Sequence, residues 1–431
     1  MKIVAKFGGS SVADADGFNR VKNIALQNDI SVVVTSAYGK RKGYADDFKA
    51  TDVLYTVLAH VRHGIDYETL WLNFCQRFYD IKKELNLKTD IAALLQTFKS
   101  QINKNSDEAY VISRGEYFTA LLLAEHINYT FVDSADNVIF DYDGSIDMKK
   151  TADNLHAVLS KNKNIVLTGF YGATSAGSIT LFDRGGSDIS GSVVAAAIKA
   201  DLYQNWTDVD GILAANPKIV ISPDTIKKLS YKQLRELSYS GAVVMHESSV
   251  LPAMKAGIPI QIKNSFCPQN EGTLIEHKDA DGVIGIAGTK GFLAFNIWLP
   301  QMSGQIGFIH KALKLFFSLG INIEHIPTNI DGLSIIVKEA DVIGKEEYIC
   351  VSLQKKLKAV VTVTKNISLL AIVGRLNAFV IRKIFECVEE KGAQAITVLQ
   401  SPDRLNLILG VANDYYETIT KALYQKLFRE L

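Results

Sequence analysis

The sequence predicts an α/β protein with a largely parallel sheet, followed by a smaller α/β region built as a tandem repeat. Three observations carry that expectation. From residue 1 to about 265, short apolar runs ending in Gly, Ser, Thr or Asp alternate with amphipathic stretches. βαβ units read this way, because each crossover helix must cover a face of the sheet. The segment FCPQNEGTLIEHKDADG is then polar and rich in turn residues, and marks a boundary around 265–290. Beyond it, a strand, loop, helix, glycine, strand pattern occurs twice. FLAFNIWLP with IHKALKLFFSLGINIEHI (309–326) is one copy and SLLAIVG with VIRKIFECVEEKGAQAITVL (380–399) the other, with a period of 72 residues from Gly320 to Gly392.

Taken in order, Ile3, Val4, Ala5 and Phe7 form a run of strand length that Gly8-Gly9 breaks. Ser10, Ser11 and Asp14 are cap-type residues ahead of a helical stretch around Phe18 to Ala25. The runs SVVVTSAYG (31–39), AYVISRGEY (109–117), NIVLTGFYGAT (164–174) and LYQNWTDVDG (202–211) read as further strands. The stretches YFTALLLAEHI (117–127) and ISGSVVAAAIKA (189–200) read as helices between them. Parallel sheets bind ligands beyond the carboxyl ends of their strands. Polar residues concentrate there: Thr35-Ser36, Ser113-Arg114-Gly115-Glu116, Thr168-Gly169 and Thr207-Asp208. The charged segment GKRKGYADDFKATD (39–52) is either a lid or a solvated connection, depending on whether a site lies beside it.

A chain of 431 residues exceeds one ordinary domain and suggests two or three. Its 47 basic and 46 acidic residues leave a net charge of +1, which gives no footprint for nucleic acid or an anionic membrane and favours a small-molecule partner. Cys75, Cys267, Cys350 and Cys387 are scattered, as reduced structural thiols of a cytosolic protein would be. Lys6 and two glycines interrupt any signal-peptide apolar core, and no apolar run approaches the roughly 18 residues that span a bilayer. The expectation is a soluble, cytoplasmic protein.

Two stretches carry chemistry. KFGGSS joins a strand end, a glycine turn and a helix start, whose N–H groups suit an anion such as phosphate. It is not a Walker A loop, which needs its lysine after the glycines. It reads equally well as an ordinary strand-to-helix turn. DRGGSD sets Asp183 and Arg184 before Gly185-Gly186, with Ser187 and Asp188 leading into a helix that they cap. Capping and turn geometry leave Arg184 unexplained, and a guanidinium grips a planar carboxylate well. This half suits an acidic small molecule, and KFGG suits phosphate.

KFGGSS, SRGEYFTA, TGFYGAT, DRGGSD, NWTDVDGILAANP and SYSGAVVMHESSVLPA occur in the order found in aspartate kinases, and the chain resembles that family of the amino-acid kinase superfamily. The repeat resembles the paired ACT domains of the same family. The resemblance covers essentially the whole chain and leaves no segment for a fused homoserine dehydrogenase, so the monofunctional type is expected. It implies a three-layer amino-acid-kinase sandwich over residues 1–270 and two ferredoxin-like ACT domains over 282–431. The first ACT copy would span about 289–360 and the second about 364–431 plus strand 282–288.

The implied reaction is transfer of the ATP γ-phosphoryl group to the side-chain carboxylate of aspartate, which needs cations rather than a general base. The resemblance puts Lys6 and Asp188 at the catalytic centre, Asp188 as part of its polar floor, and Gly8, Gly9 and Ser10 on phosphate. It puts Arg184 and Ser187 on the α-carboxylate, Glu116 on the ammonium and Thr51 on substrate, and has Thr207, Asp208, Leu213 and Lys218 contact the nucleotide. RGE also reads as a capping pair at a helix start. Mg²⁺ would be held mainly by nucleotide phosphates and water. Leu213, Asn216-Pro217-Lys218 and Val243 depart from the aromatic residue, Asp-Pro-Arg and lysine common in the family; His246 reads as structural.

In the repeat, the turn MSGQIGF and strand GINIEHI resemble an effector site with Met302, Asn322, Ile323 and Glu324. Gln394 and Ile396 stand in place of Asn322 and Glu324 in the second copy, so the effector is expected on the first, at a dimer interface. Lysine and threonine are candidate effectors, and a homodimer or dimer of dimers is the expected assembly. Two alternatives stand beside this reading. One is a related kinase of glutamate or a nucleotide; the other is an amino-acid sensor without catalysis.

Overall fold

The computed structural model describes residues 1–41, 43–44, 47–182, 185–242 and 247–430, which fall into two units. The first unit comprises Met1–Ile212, Thr225–Tyr231 and Val244–Lys278, and the second Leu213–Asp224, Lys232–Val243 and Asp279–Leu431.

The first unit is built on an eight-stranded sheet. Its strands run, across the sheet, Thr130–Val132, Ile165–Thr168, Val32–Thr35, Ile3–Phe7, Leu202–Thr207, Ile260–Asn264, Thr273–Glu276 and Lys228–Ser230. Every neighbouring pair is parallel except Ile260–Asn264 against Thr273–Glu276. Ile3, Ala5 and Phe7 share one core with Phe18, Phe74, Phe78 and Phe118 of the helices Ala15–Gln27, Glu68–Glu84 and Glu108–Ile127. Val4 lies between them in the pleat and faces the other way, yet is also fully buried. Helix Gly186–Ala197 packs on the strand Ile3–Phe7, with helices Met148–Lys161 and Glu247–Ala256 against it. Helices on both faces make three layers, and explain why the strands read as unbroken apolar runs.

One element differs in type from the sequence reading. AYVISRGEY is not a strand but the first half of the 20-residue helix Glu108–Ile127, capped by the Asp107 side chain, which accepts from the Ala109 N–H. Val111 to Glu116 are all buried. A helix enclosed on all sides shows no polar face, so its apolar residues appear as a run with no 3.6-residue period. Ser187 and Asp188 differ too: the helix they enter is capped by Gly185, at φ +80°, whose carbonyl accepts from the Asp188 and Ile189 N–H groups. Their side chains do not cap it.

The second unit carries a five-stranded antiparallel sheet in the order Gly332–Lys338, Val283–Trp298, Val360–Gly374, Asn406–Ala412, Thr397–Gln400. The two long central strands serve both copies of the repeat. Phe292–Trp298 pairs with Gly332–Lys338 in one copy, and Ile367–Val373 with Asn406–Ala412 in the other. Helices Phe308–Ser318 and Ala378–Glu390 are followed by Gly320 and Gly392, both at φ +66°. The left-handed conformation ends each helix and turns the chain, which is glycine's role there. GINIEHI is not a regular strand: it makes only isolated bridges, such as His325 to Ile336, whereas its counterpart forms Thr397–Gln400. Pro327 has no N–H with which to continue the ladder. No described helix is long and apolar enough to cross a membrane, and all four cysteines are free.

Candidate active site

A cleft of about 580 Å³ opens in the first unit at the carboxyl ends of the strands Ile3–Phe7, Val32–Thr35 and Leu202–Thr207. Lys6, Gly8, Gly9, Ser10, Thr51, Glu116, Ser187, Asp188, Thr207 and Asp208 all line it. Arg184, Val243 and His246 lie outside the described residues. Leu213 and Lys218 belong to the second unit, where Lys218 is exposed. A second cavity of about 450 Å³, beside Lys2, Ser31 and Lys163, opens at the amino ends of the strands and holds none of these residues.

Lys6, next to last in its strand, is almost buried, with its ammonium 2.6 Å from Asp188 Oδ1. The same oxygen accepts a 3.0 Å hydrogen bond from the Asn205 amide. Helix Gly186–Ala197 thus delivers Asp188 to the lysine. The glycine turn beyond Lys6 has a packing reason. A Cβ on Gly9 would lie 2.9 Å from the Ala37 carbonyl oxygen and 3.0 Å from Gly39, so two backbones pass too close for a side chain. The Gly39 N–H donates to the Gly9 carbonyl at 2.8 Å. The Gly8 N–H is taken by the Trp206 carbonyl, at 3.1 Å, which leaves anion contacts in this turn to Gly9 and Ser10. Ser11 is turned away and buried against Ser265.

Glu116 sits mid-helix, 3% exposed, with Oε2 lacking any hydrogen-bond partner. Burial pushes its carboxyl up to about 8, against the opposing pull of the Ala37 N–H, its own backbone and the Arg114 guanidinium. A buried carboxylate with an unmatched oxygen on the wall of a cleft asks for a cation. Gly115 lets the helix come this close: a Cβ there would stand 2.9 Å from the Ala37 Cβ and 3.3 Å from the Ala50 Cβ. Thr51 lies in the first turn of helix Ala50–His63, which no side chain caps.

Sequence reasoning left the role of segment 39–52 open and did not single out Lys40, Lys49, Tyr55 or Phe170, all of which line the cleft. The charge of that segment was the available signal. Among the described residues no group of three or more His, Cys, Asp or Glu is arranged to hold a metal ion.

In the second unit, Met302 is buried, Asn322 exposed and Ile323 half-buried. Glu324, its side chain 8% exposed, pairs with Lys338 at 3.4 Å and accepts from the Tyr239 hydroxyl at 2.7 Å. Burial and Glu324 push that hydroxyl up to about 12, so it remains a donor. A cavity of about 270 Å³ beside Asn296, Thr328 and Ser334 includes none of the four expected effector residues.

Residues 1–264 match the model of the amino acid kinase family. Aspartokinase 3 of Bacillus subtilis is 32% identical over 99% of both chains, and the aspartokinase of Chlamydia trachomatis 27% identical over 99% of this chain and 98% of its own. The crystal structure of Clostridium acetobutylicum aspartate kinase, described as an allosteric enzyme, matches with a TM-score of 0.89 and 36% identity, covering 99% of this chain and 100% of that one. Escherichia coli aspartokinase III, in complex with aspartate and ADP, shares the fold, with a TM-score of 0.71 and 22% identity over 99% and 100% of the two chains.

Proposed function

The chain belongs to the aspartate kinases of the amino acid kinase family, and on that premise we propose how its cleft transfers the ATP γ-phosphoryl group to the side chain of L-aspartate. The product is 4-phospho-L-aspartate, formed in the first step toward lysine, threonine and methionine. The observation that carries the assignment of roles is the unmatched oxygen of buried Glu116. An α-ammonium group supplies both the charge and the hydrogen bond it lacks. Ser187 holds the α-carboxylate together with Arg184, the latter on the resemblance of DRGGSD alone, and Thr51 makes a further substrate contact. Thr207 and Asp208, on the cleft wall, contact the nucleotide; Leu213 and Lys218 are assigned to it on the resemblance alone.

The side-chain carboxylate, with a pKa near roughly 4, is ionised at neutral pH, so no base is needed. One of its oxygens bonds to the γ-phosphorus as the bond to the β,γ-bridging oxygen breaks. The electron pair leaves with ADP and no proton moves. The obstacle is the approach of two anions, and cations fixed in advance lower it. Lys6 is the cation at the transferring group, held by Asp188, while Gly9 and Ser10 receive phosphate and Gly8, its N–H already given to Trp206, shapes the turn. Mg²⁺ would be carried on the nucleotide phosphates, where it adds charge neutralisation.

Regulation is assigned to residues 282–431 and catalysis to 1–270. An amino acid, with lysine and threonine as candidates, binds the first repeat copy at Met302, Asn322, Ile323 and Glu324, in a cytoplasmic homodimer or dimer of dimers. The description of the Clostridium relative as allosteric supports an effector. The test uses hydroxylamine to trap the acyl phosphate formed with ATP, Mg²⁺ and either aspartate or glutamate. Hydroxamate is expected from aspartate alone. Lys6→Ala is expected to lower turnover by about 10²–10³-fold while aspartate binding, read by calorimetry, changes little. Equal product from glutamate, or full turnover in Lys6→Ala, would overturn these roles.

A further inference from the structure

Two further lysines, Lys40 and Lys49, line the cleft, and neither forms an ion pair or hydrogen bond with a described residue. Lys6 is matched by Asp188, and Asp208 adds another negative charge to the wall. Among the described residues, therefore, the cleft's cations without an ion-pair partner are Lys40 and Lys49, on a wall that also carries Asp208 and the buried Glu116. The nucleotide and the aspartate side chain both arrive as anions.

The residues beside the two lysines are tied to one guanidinium. Arg77, on helix Glu68–Glu84, is 4% exposed. It donates to the Ala13 carbonyl at 2.7 Å and to Asp47 Oδ1 at 2.5 Å, lies 3.4 Å from the Gly39 carbonyl, and faces the Tyr38 ring at 4.9 Å and the Phe48 ring at 5.7 Å. Asp47, its side chain 1% exposed, also accepts from the Arg41 backbone at 2.7 Å and from Arg41 Nε at 3.1 Å. Residues 38, 39 and 41 flank Lys40, and 47 and 48 precede Lys49. Both lysines thus project from backbone pinned to the same buried ion pair.

We propose that Lys40 and Lys49 are additional substrate-binding cations, which draw the acceptor carboxylate and the γ-phosphoryl group together, and that Arg77 with Asp47 positions them. This rests on the aspartate kinase reading above. Both lysines are exposed, so Lys40→Met and Lys49→Met leave the fold intact, which a thermal melt checks. Each variant is expected to lose roughly tenfold or more in kcat/KM in the hydroxamate assay; wild-type activity is expected to decline with rising ionic strength, and the double variant to lose that decline. Lys→Arg at each position restores most of the loss, since the requirement is for charge. Asp47→Asn keeps the shape and removes the charge that Arg77 and Arg41 share; it is expected to lower kcat/KM without adding further loss to the double lysine variant. If wild type makes no hydroxamate, the kinase reading fails and this proposal with it. If wild type is active and both lysine variants match it in kcat/KM and salt dependence, the proposal is overturned and the kinase reading stands.

Discussion

At the scale of the residue, Glu116 joins stability, pH and substrate. Its carboxyl is raised to about 8, chiefly by burial, so without ligand the fold favours the protonated acid over the range from the usual carboxylate value to about 8. Stability tied to that proton is present at low pH and declines as pH rises through this window, because the unfolded chain releases the proton first. In the role proposed for Glu116, aspartate reverses the preference, since its ammonium would stabilise the carboxylate. Aspartate affinity should therefore rise as pH increases toward about 8 and level off above, with proton release on binding below that pH. Calorimetry in two buffers of different ionisation enthalpy reads that release directly. Glu116→Gln should abolish it and weaken aspartate binding by about 1.5–3 kcal/mol, the scale of a hydrogen bond to a charged group. Lys6 and Glu116 were singled out because their motifs, KFGG and RGE, stand in the order of the family that the chain resembles, and both line the cleft. Lys40 and Lys49 were not: which side of a charged segment faces a cleft is decided by Arg77, a residue that nothing in the local pattern connects to it.

At the scale of the element, the strands of the sheet were readable from apolar runs that end in polar residues, and the turn glycines from their equivalent places in the two repeat copies. Helix Glu108–Ile127 was not. Its burial on all sides erases the period by which a helix is recognised, and Val111-Ile112 reads as strand. Gly115 shows what that helix is shaped for. In an open helix Gly→Ala stabilises by about 1 kcal/mol. Here the added methyl would meet Ala37 and Ala50 side chains at 2.9 and 3.3 Å, neither of which can swing aside. Overpacking of this kind costs about 1–3 kcal/mol, so the clash outweighs the propensity. Gly115→Ala is expected to lower stability in chemical denaturation and, by shifting Glu116 and the start of the helix that holds Thr51, to raise the KM for aspartate more than it changes kcat. A stabilised variant with unchanged KM would show that the helix has room to move.

At the scale of the whole molecule, the chain's connections between the two units offer an effector one route. The segment Lys232–Val243 belongs to the second unit, yet lies in sequence between Thr225–Tyr231 and Val244–Lys278 of the first. Composition could not show this interleaving, because the shift that marks a boundary in sequence falls around 265–290 and these short segments carry no such shift. Within the second unit, Tyr239 donates its hydroxyl to Glu324, the residue assigned to the effector's ammonium. Glu324 already shares its charge with Lys338. An arriving ammonium competes for the same carboxylate, and a neutral phenol gives way more readily than a lysine. On the proposed effector site the Tyr239 contact would then be released, in a segment whose two ends run into the first unit. Tyr239→Phe removes the contact in advance. The variant should still bind the inhibiting amino acid, with an affinity equal to or tighter than wild type, but inhibition of hydroxamate formation at saturating effector should be reduced. Glu324→Ala should lose binding and inhibition together. A Tyr239→Phe enzyme inhibited as fully as wild type would mean that the signal leaves the effector site by another route.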